Sequence, residues 1–101
     1  MEIKDEEKIK NEIKDHISKR GGTYPEWYVG ITNDTDRRLF QEHNVSEEND
    51  IWSRKNAGTL SKAEEIEKYF TKELGTDGAP GGAENDSIYV YAYKKNSHTK
   101  P

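Results

Sequence analysis

The chain begins with a charged segment in which isoleucine recurs at a fixed interval. Ile9, Ile13 and Ile17 are four residues apart, which places them on one face of an α-helix. The spacing predicts a helix over Asp5–Lys19 that ends at Gly21, because glycine is the usual residue just past a helix. Its apolar stripe is narrow, so we expect the helix to pack at the periphery; a surface for a protein partner is the alternative.

Three later segments have the pattern of strands. In Trp27–Thr32 every second residue is large and apolar, and the residues between them are small or polar around Tyr28. In Ile88–Tyr93 aliphatic residues alternate with tyrosines. A short strand is expected at Ile51–Arg54, anchored by Trp52. The face of the first strand that carries Tyr28 is expected to be open, as a binding site would require.

Two helices are predicted between these strands. A short one should bury Leu39 and Phe40 and end at about Glu42. A longer one should begin at Ser61, which forms a capping-box pattern with Glu64 three residues later. It should end at Leu74, because a glycine follows.

These elements predict an α/β fold of the α+β type, with a small, mainly antiparallel sheet of about three strands flanked by helices. The organisation expected is an N-terminal helical segment at 1–22, one domain at 23–94 and a disordered tail at 95–101.

Composition narrows the partners that the chain can have. Its 101 residues, 30% hydrophobic and 36% charged, allow one modest core. The net charge of -4 argues against nucleic-acid binding by bulk electrostatics but leaves a local basic patch possible.

The absence of cysteine excludes disulfides and thiolate metal sites. No apolar run is long enough to cross a bilayer and the N-terminus is charged, so we expect a cytoplasmic protein without membrane contact.

The second long helix carries a carboxylate on its apolar side. Glu67 projects between apolar residues of one helical face. A carboxylate placed there is costly to bury unless it is paired, hydrogen-bonded or bound to a cation. The alternative is a glutamate at the rim that reaches solvent or a structural arginine. The apolar face consists of Leu60, Ala63, Ile66, Phe70 and Leu74.

A second group of chemical residues surrounds the first strand. Tyr28 lies on the strand, Gly30 leaves room for another backbone or a ligand, and Arg37 and Arg38 follow in the short helix. With Glu67, they supply a phenol, a guanidinium and a carboxylate, a set suited to phosphodiester hydrolysis. The alternative is a surface tyrosine with solvated arginines.

The segment YVGITNDTDRRL resembles the second half of the signature of GIY-YIG nucleases. Tyr28–Gly30 match the Tyr-(Ile/Val)-Gly triplet, and Arg38 follows the tyrosine by ten residues, the spacing usual in that family. Ala63 and Glu67 match the Ala-x-x-x-Glu pattern around the family's metal-binding glutamate.

The resemblance implies a role for each matching residue. Tyr28 would orient or activate water, Arg38 would hold the scissile phosphate of DNA, and Glu67 would bind Mg²⁺ or another divalent cation. Family members often carry a histidine or tyrosine about four residues after the arginine. His43 follows Arg38 by five and is the candidate auxiliary base.

The first Gly-Ile-Tyr triplet of the signature is missing. Its expected place is occupied by His16–Ser18, inside the predicted first helix. We hypothesise that Ile88–Tyr93 takes the missing strand's place beside the strand of Tyr28. Tyr89 or Tyr91 would then replace the lost phenol.

The leading function is therefore a metal-dependent endonuclease-like domain that hydrolyses DNA. The alternative is a catalytically inactive module of the same kind that binds nucleic acid or a protein. In that case Arg37 and Arg38 would contact phosphates and the C-terminal tyrosines would stack on bases. Those tyrosines are Tyr89, Tyr91 and Tyr93.

Overall fold

A three-stranded antiparallel sheet forms the centre of the protein, in a computed structural model that describes residues 5–78 and 84–101. The strands are β1 (Trp27–Thr32), β2 (Trp52–Asn56) and β3 (Tyr89–Lys94), and their spatial order is β1-β3-β2. Helices flank the sheet, so the predicted α+β fold is confirmed.

The last strand of the chain occupies the middle of the sheet. β3 pairs with β1 along its whole length, from Trp27 opposite Lys94 to Thr32 opposite Tyr89. Its other edge pairs with β2. The hypothesis that the C-terminal strand lies beside the strand of Tyr28 therefore agrees with the pairing found.

The helices lie where the sequence pattern predicts them, but two stretches have π-helical geometry. Helix α1 and helix α2 are regular, but α2 continues as a wider π-helix, and the short helix after β1 is also a π-helix. A π-helix closes its backbone hydrogen bonds over five residues instead of four. The ranges are α1 Asp5–Arg20, first π-helix Arg37–Glu42, α2 Leu60–Lys68 and second π-helix Tyr69–Leu74.

The start of α2 differs from the prediction. Helix α2 begins at Leu60, and the hydroxyl of Thr59 accepts a hydrogen bond from the Lys62 amide at 3.2 Å. The capping-box prediction that started the helix at Ser61 is therefore wrong, because Thr59 supplies the cap two residues earlier. Gly75 ends the second π-helix with a φ of 89°, as glycine permits. The later part of the glycine-rich stretch 75–82 lies outside the described residues.

The principal core lies between one face of the sheet and both long helices. Ile13 of α1 and Ile66 of α2 are fully buried with Trp27 and Val29 of β1. Helix α1, for which a peripheral position or a partner-binding face was expected, turns its isoleucines into this core. Its apolar stripe is thus already covered within the chain.

The opposite face of the sheet is covered as well. Tyr28 and Tyr91 pack with Leu39 and Val45 into a second buried cluster. Tyr28 is only 3% exposed, so the expectation of an open face around it is wrong. The segment that follows β1 turns back over the sheet and buries Leu39 on it.

Residues 95–101, expected to be disordered, fold against the domain. The Lys100 amide donates to the His43 carbonyl at 2.7 Å. The Asp50 carboxylate accepts from Asn96 at 2.9 Å and contacts His98. Side chains elsewhere in the sequence thus supply partners that the tail's own composition does not reveal.

No helix in the described part of the chain is both long and apolar enough to cross a membrane.

Candidate functional site

The phenol of Tyr91 is the centre of a buried polar cluster on the second face of the sheet. Its oxygen accepts a hydrogen bond from Arg38 Nε at 3.2 Å and lies 2.8 Å from His43 Nε2. Two chain segments therefore meet at one oxygen atom: the first π-helix with the residue that follows it, and β3.

Gly30 makes the space for this phenol. It lies directly opposite Tyr91 in the β1-β3 pair. A Cβ atom added at Gly30 would stand 2.5 Å from the Tyr91 hydroxyl oxygen and 2.7 Å from its Cζ. The glycine that sequence reasoning associated with a close approach is thus required by the second tyrosine of the site.

Tyr28 borders the cluster through its ring. The ring stacks on Tyr93 with centroids 5.2 Å apart, and its centroid lies 4.5 Å from that of His43. Burial raises the pKa of Tyr28, and burial raises that of Tyr91 more strongly. Both phenols are therefore neutral at neutral pH.

The arginines of the site share one carboxylate. Arg38 Nη1 lies 2.6 Å from Glu42 Oε1, and Arg37 Nε lies 3.0 Å from Glu42 Oε2. The side chain of Arg38 is 32% exposed, so it is the member of the cluster that a ligand can reach. An anionic ligand would compete with Glu42 for both guanidinium groups.

His43 is held from both sides of its ring. Its Nδ1 lies 2.7 Å from the Lys100 carbonyl oxygen and 3.1 Å from the Tyr93 hydroxyl, while Nε2 faces Tyr91. Burial lowers the pKa of the imidazole. The ring is therefore neutral at neutral pH and has one nitrogen free to accept a proton.

The one-residue offset of His43 is absorbed by the π-helix. The His43 amide bonds to the Arg38 carbonyl at 2.9 Å, a five-residue interval. This wider turn brings His43 over the sheet beside Arg38, although it follows the arginine by one residue more than in the nucleases whose signature the segment resembles. The sequence contains no simple signal for such a turn.

Glu67 is buried on α2 without a polar partner among residues 5–78 and 84–101. The residue is 4% exposed, and burial, with a smaller effect of Glu64, raises its pKa to about 7. The hydroxyl of Thr71, one turn later on the same side of the helix, donates to the Glu67 carbonyl at 2.9 Å. A Cβ at Gly78 would stand 2.5 Å from the Thr71 methyl and 2.7 Å from the Val29 carbonyl oxygen. Gly78 therefore lies between Thr71 of the second π-helix and the edge of β1.

Glu67 is the residue at which the sequence predicted a divalent cation. Burial disfavours the charged form of a carboxylate, and a nearby cation would offset that cost. Mg²⁺ is commonly bound through one or two carboxylates, with water in its other positions. No group of three or more acidic, histidine or cysteine side chains that could hold a metal ion is found within the described residues, so these residues form no metal-binding cluster around Glu67.

The structure brings some of the predicted residues together and separates others. Arg38, His43 and Tyr28 share the second face of the sheet with Tyr91. Glu67 lies on the helix that packs on the first face, and no hydrogen bond or ion pair joins it to them in the described part of the chain. Arg37 lies beside Arg38, and Tyr89 is half-buried at the far end of β3, opposite Thr32.

Sequence reasoning missed Glu42 and Lys100 as site residues. Glu42 is four residues after Arg38, a spacing at which oppositely charged side chains on a helix meet, so it could have been found. Lys100 contributes a backbone carbonyl, for which a sequence carries no signal.

The likeness to GIY-YIG nucleases is carried by the residues quoted above. Comparisons of the chain with protein-family models, with curated protein sequences and with solved structures found no match.

Proposed function

We propose that the protein is a metal-dependent endonuclease-like domain that hydrolyses phosphodiester bonds in DNA. The observation that carries the proposal is the contact of one partly exposed guanidinium, Arg38, with a phenol that also touches a neutral imidazole. Such a site combines an anion-binding group with groups able to accept and pass a proton.

Arg38 binds the scissile phosphate in this proposal. A guanidinium can donate two parallel hydrogen bonds to phosphate oxygens and stabilise the charge that develops on them. Arg37, next to it, supplies a second positive charge. The phosphate takes the position of the Glu42 carboxylate, which neutralises both arginines in the free protein.

The phenols and His43 handle the attacking water. Tyr28 and Tyr91 are neutral, so they orient water by hydrogen bonds and are not strong bases themselves. His43 is the auxiliary base, because its low pKa keeps Nε2 unprotonated. Glu67 would hold Mg²⁺, a cation that can neutralise negative charge during hydrolysis. Among the described residues no hydrogen bond or ion pair joins Glu67 to Arg38 or His43 in the free protein, so substrate binding would have to bring the two groups to one phosphate.

The test is nicking of supercoiled plasmid with and without Mg²⁺. The wild-type protein is expected to nick only with the metal. Arg38→Ala is expected to lower the rate by a factor of about a hundred or more, and Glu67→Ala should remove the metal dependence together with the activity. Arg54→Ala is the matched control, since Arg54 is an exposed arginine paired with Asp36.

An equal loss of activity in Arg38→Ala and Arg54→Ala would reduce the role of Arg38 to general positive charge. Absence of Mg²⁺-dependent nicking by the pure wild-type protein would refute the proposed hydrolysis.

Burial of the phenols favours a second candidate, an inactive module that binds nucleic acid. Tyr28 and Tyr91 are 3% and 1% exposed, so a substrate reaches them only after rearrangement. Binding would then rest on Arg37 and Arg38. Bases were expected to stack on Tyr89, Tyr91 and Tyr93 in that case. The burial of Tyr91 and Tyr93 argues against stacking on those two rings. Such a module would retain an oligonucleotide without metal and leave it intact.

A further inference from the structure

We propose that the C-terminal segment Lys95–Lys100 belongs to the site. The Lys100 carbonyl fixes His43 in the tautomer in which Nε2 carries no proton and accepts a hydrogen bond from the Tyr91 hydroxyl. Lys100 and His43 are then positioning residues that act through Tyr91. The hydrogen-bonding claim stands by itself, and its catalytic consequence rests on the proposed nuclease function.

The direction of each hydrogen bond follows from what its atoms can do. A carbonyl oxygen only accepts, so the 2.7 Å contact between His43 Nδ1 and the Lys100 oxygen requires a proton on Nδ1. In a neutral imidazole Nε2 is then bare, and across 2.8 Å it accepts the Tyr91 hydroxyl proton. The Tyr91 oxygen keeps its lone pairs for Arg38 Nε–H at 3.2 Å. The result is a directed chain from Arg38 through Tyr91 and His43 to Lys100.

The segment that carries Lys100 is fastened at several points. Lys100 and His43 bond in both directions, since the Lys100 amide also donates to the His43 carbonyl at 2.7 Å. Asp50 accepts from the Ser46 amide at 2.7 Å and from the Asn96 amide group at 2.9 Å. The Asp50 side chain is 6% exposed. These contacts hold the Lys100 carbonyl in place and order the segment.

This tautomer allows a proton transfer in which Tyr91 never becomes a free phenolate. Once a rearrangement has admitted water to the buried Tyr91 oxygen, the attacking water loses a proton to that oxygen while the hydroxyl proton of Tyr91 passes to His43 Nε2. The water oxygen bonds to phosphorus, and the ester oxygen leaves with the bond's electron pair. Tyr91 stays neutral throughout, His43 ends as an imidazolium, and it later returns its proton to solvent.

Protonation of His43 before the reaction breaks this chain. An imidazolium has a proton on Nε2 as well, so it can no longer accept from Tyr91. The titratable and charged groups around the ring are Tyr28, Tyr91, Tyr93, Arg38, Glu42 and Asp77. The rate should therefore fall on the acidic side as His43 takes up a proton.

The primary test reads the tautomer in the intact chain. Long-range ¹H–¹⁵N correlation spectra of the His43 ring, recorded near neutral pH without metal or DNA, are expected to show protonated Nδ1 and bare Nε2. A ring protonated on Nε2, or a mixture of the two tautomers, would overturn the inference.

A matched pair of substitutions tests the role of the segment. Lys100→Pro removes the amide that donates to His43, whereas Lys100→Ala keeps both backbone groups and removes only the side chain. Lys100→Pro is expected to give mixed tautomers and Lys100→Ala to leave the ring unchanged. Identical spectra for the two variants would show that the segment does not set the tautomer.

The kinetic readout separates this inference from the proposed function. In an active enzyme, Lys100→Pro should lower kcat roughly tenfold, with KM unchanged and the acidic limb of the pH profile displaced. A mixed tautomer with unchanged kcat would overturn the relay. If the wild-type protein shows the expected tautomer but no hydrolysis, the proposed function fails and the hydrogen-bond assignment remains.

Discussion

At the scale of single residues, the site depends on the absence of a side chain at Gly30. Gly30 was expected to admit a backbone or ligand, and the group that it admits is the Tyr91 phenol. The need for a small residue was therefore readable from the strand pattern. The identity of the neighbour was not, because it depends on the register between β1 and β3, which are far apart in the sequence.

Gly30→Ala tests this close contact. The added methyl overlaps the rigid, buried ring of Tyr91, so we expect a loss of about 1–3 kcal/mol in the free energy of unfolding. Urea denaturation measures it. In a Tyr91→Phe background the same change should cost less, because the nearest clashing atom is gone. An equal cost in both backgrounds would locate the strain elsewhere.

Glu67 gives a prediction of how stability depends on pH. Its folded-state pKa is raised from 4.5 to about 7, so the folded state binds the proton more tightly than the unfolded chain does. The stabilisation is fully present below pH 4.5 and is lost as the pH rises through about 7. Between these limits the wild-type protein should lose up to about 3 kcal/mol relative to Glu67→Gln.

Urea denaturation at several pH values without metal provides the measurement. Addition of Mg²⁺ should restore stability at the alkaline end in the wild type alone. Parallel pH curves for wild type and Glu67→Gln would show that this carboxyl group is not buried as described.

At the scale of elements, the periodic patterns located β1 and α1 closely, and they located the other two strands to within one or two residues. The strand at Trp27–Thr32 was predicted with the bounds found, and the helix from Asp5 differs by one residue at its end. The π-helix at Arg37–Glu42 was not foreseen, because short apolar patterns do not distinguish it from an α-helix. That difference matters, since the wider turn places His43 in the site.

The start of α2 offers a test with a built-in control. Thr59→Ala removes the side chain that accepts from the Lys62 amide and should cost about 1 kcal/mol of unfolding free energy. Ser61→Ala should cost much less, because no hydrogen bond of that side chain caps the described helix. Thermal or urea unfolding of both variants decides between the caps. A larger loss of unfolding free energy in Ser61→Ala than in Thr59→Ala would show that Ser61 is the cap.

At the scale of the whole molecule, the helices and the sheet share one principal core, and the chain's end returns to the site. The amphipathic pattern of α1 was visible in the sequence, but its packing partners were not. Contacts such as that between His43 and Lys100 join residues 57 positions apart. Local patterns carry no information on such pairs, so the tail was mistaken for a frayed end.

Ile13 tests whether α1 is integral to the fold. Ile13 is fully buried, so Ile13→Ala should lower the free energy of unfolding by about 2–4 kcal/mol. Lys8→Ala, an exposed position on the same helix, should change it by less than about 0.5 kcal/mol. A negligible effect of Ile13→Ala in urea denaturation would show that α1 is peripheral to the fold.

The metal-dependent site is tested most directly by a Mg²⁺ titration followed residue by residue in ¹H–¹⁵N spectra. Saturable shifts should centre on Glu67, and they should vanish in Glu67→Gln. Shifts centred on the acidic stretch 47–50, or no saturable shift at any residue, would contradict a divalent-cation site at Glu67 and with it the metal-dependent hydrolysis proposed for this protein.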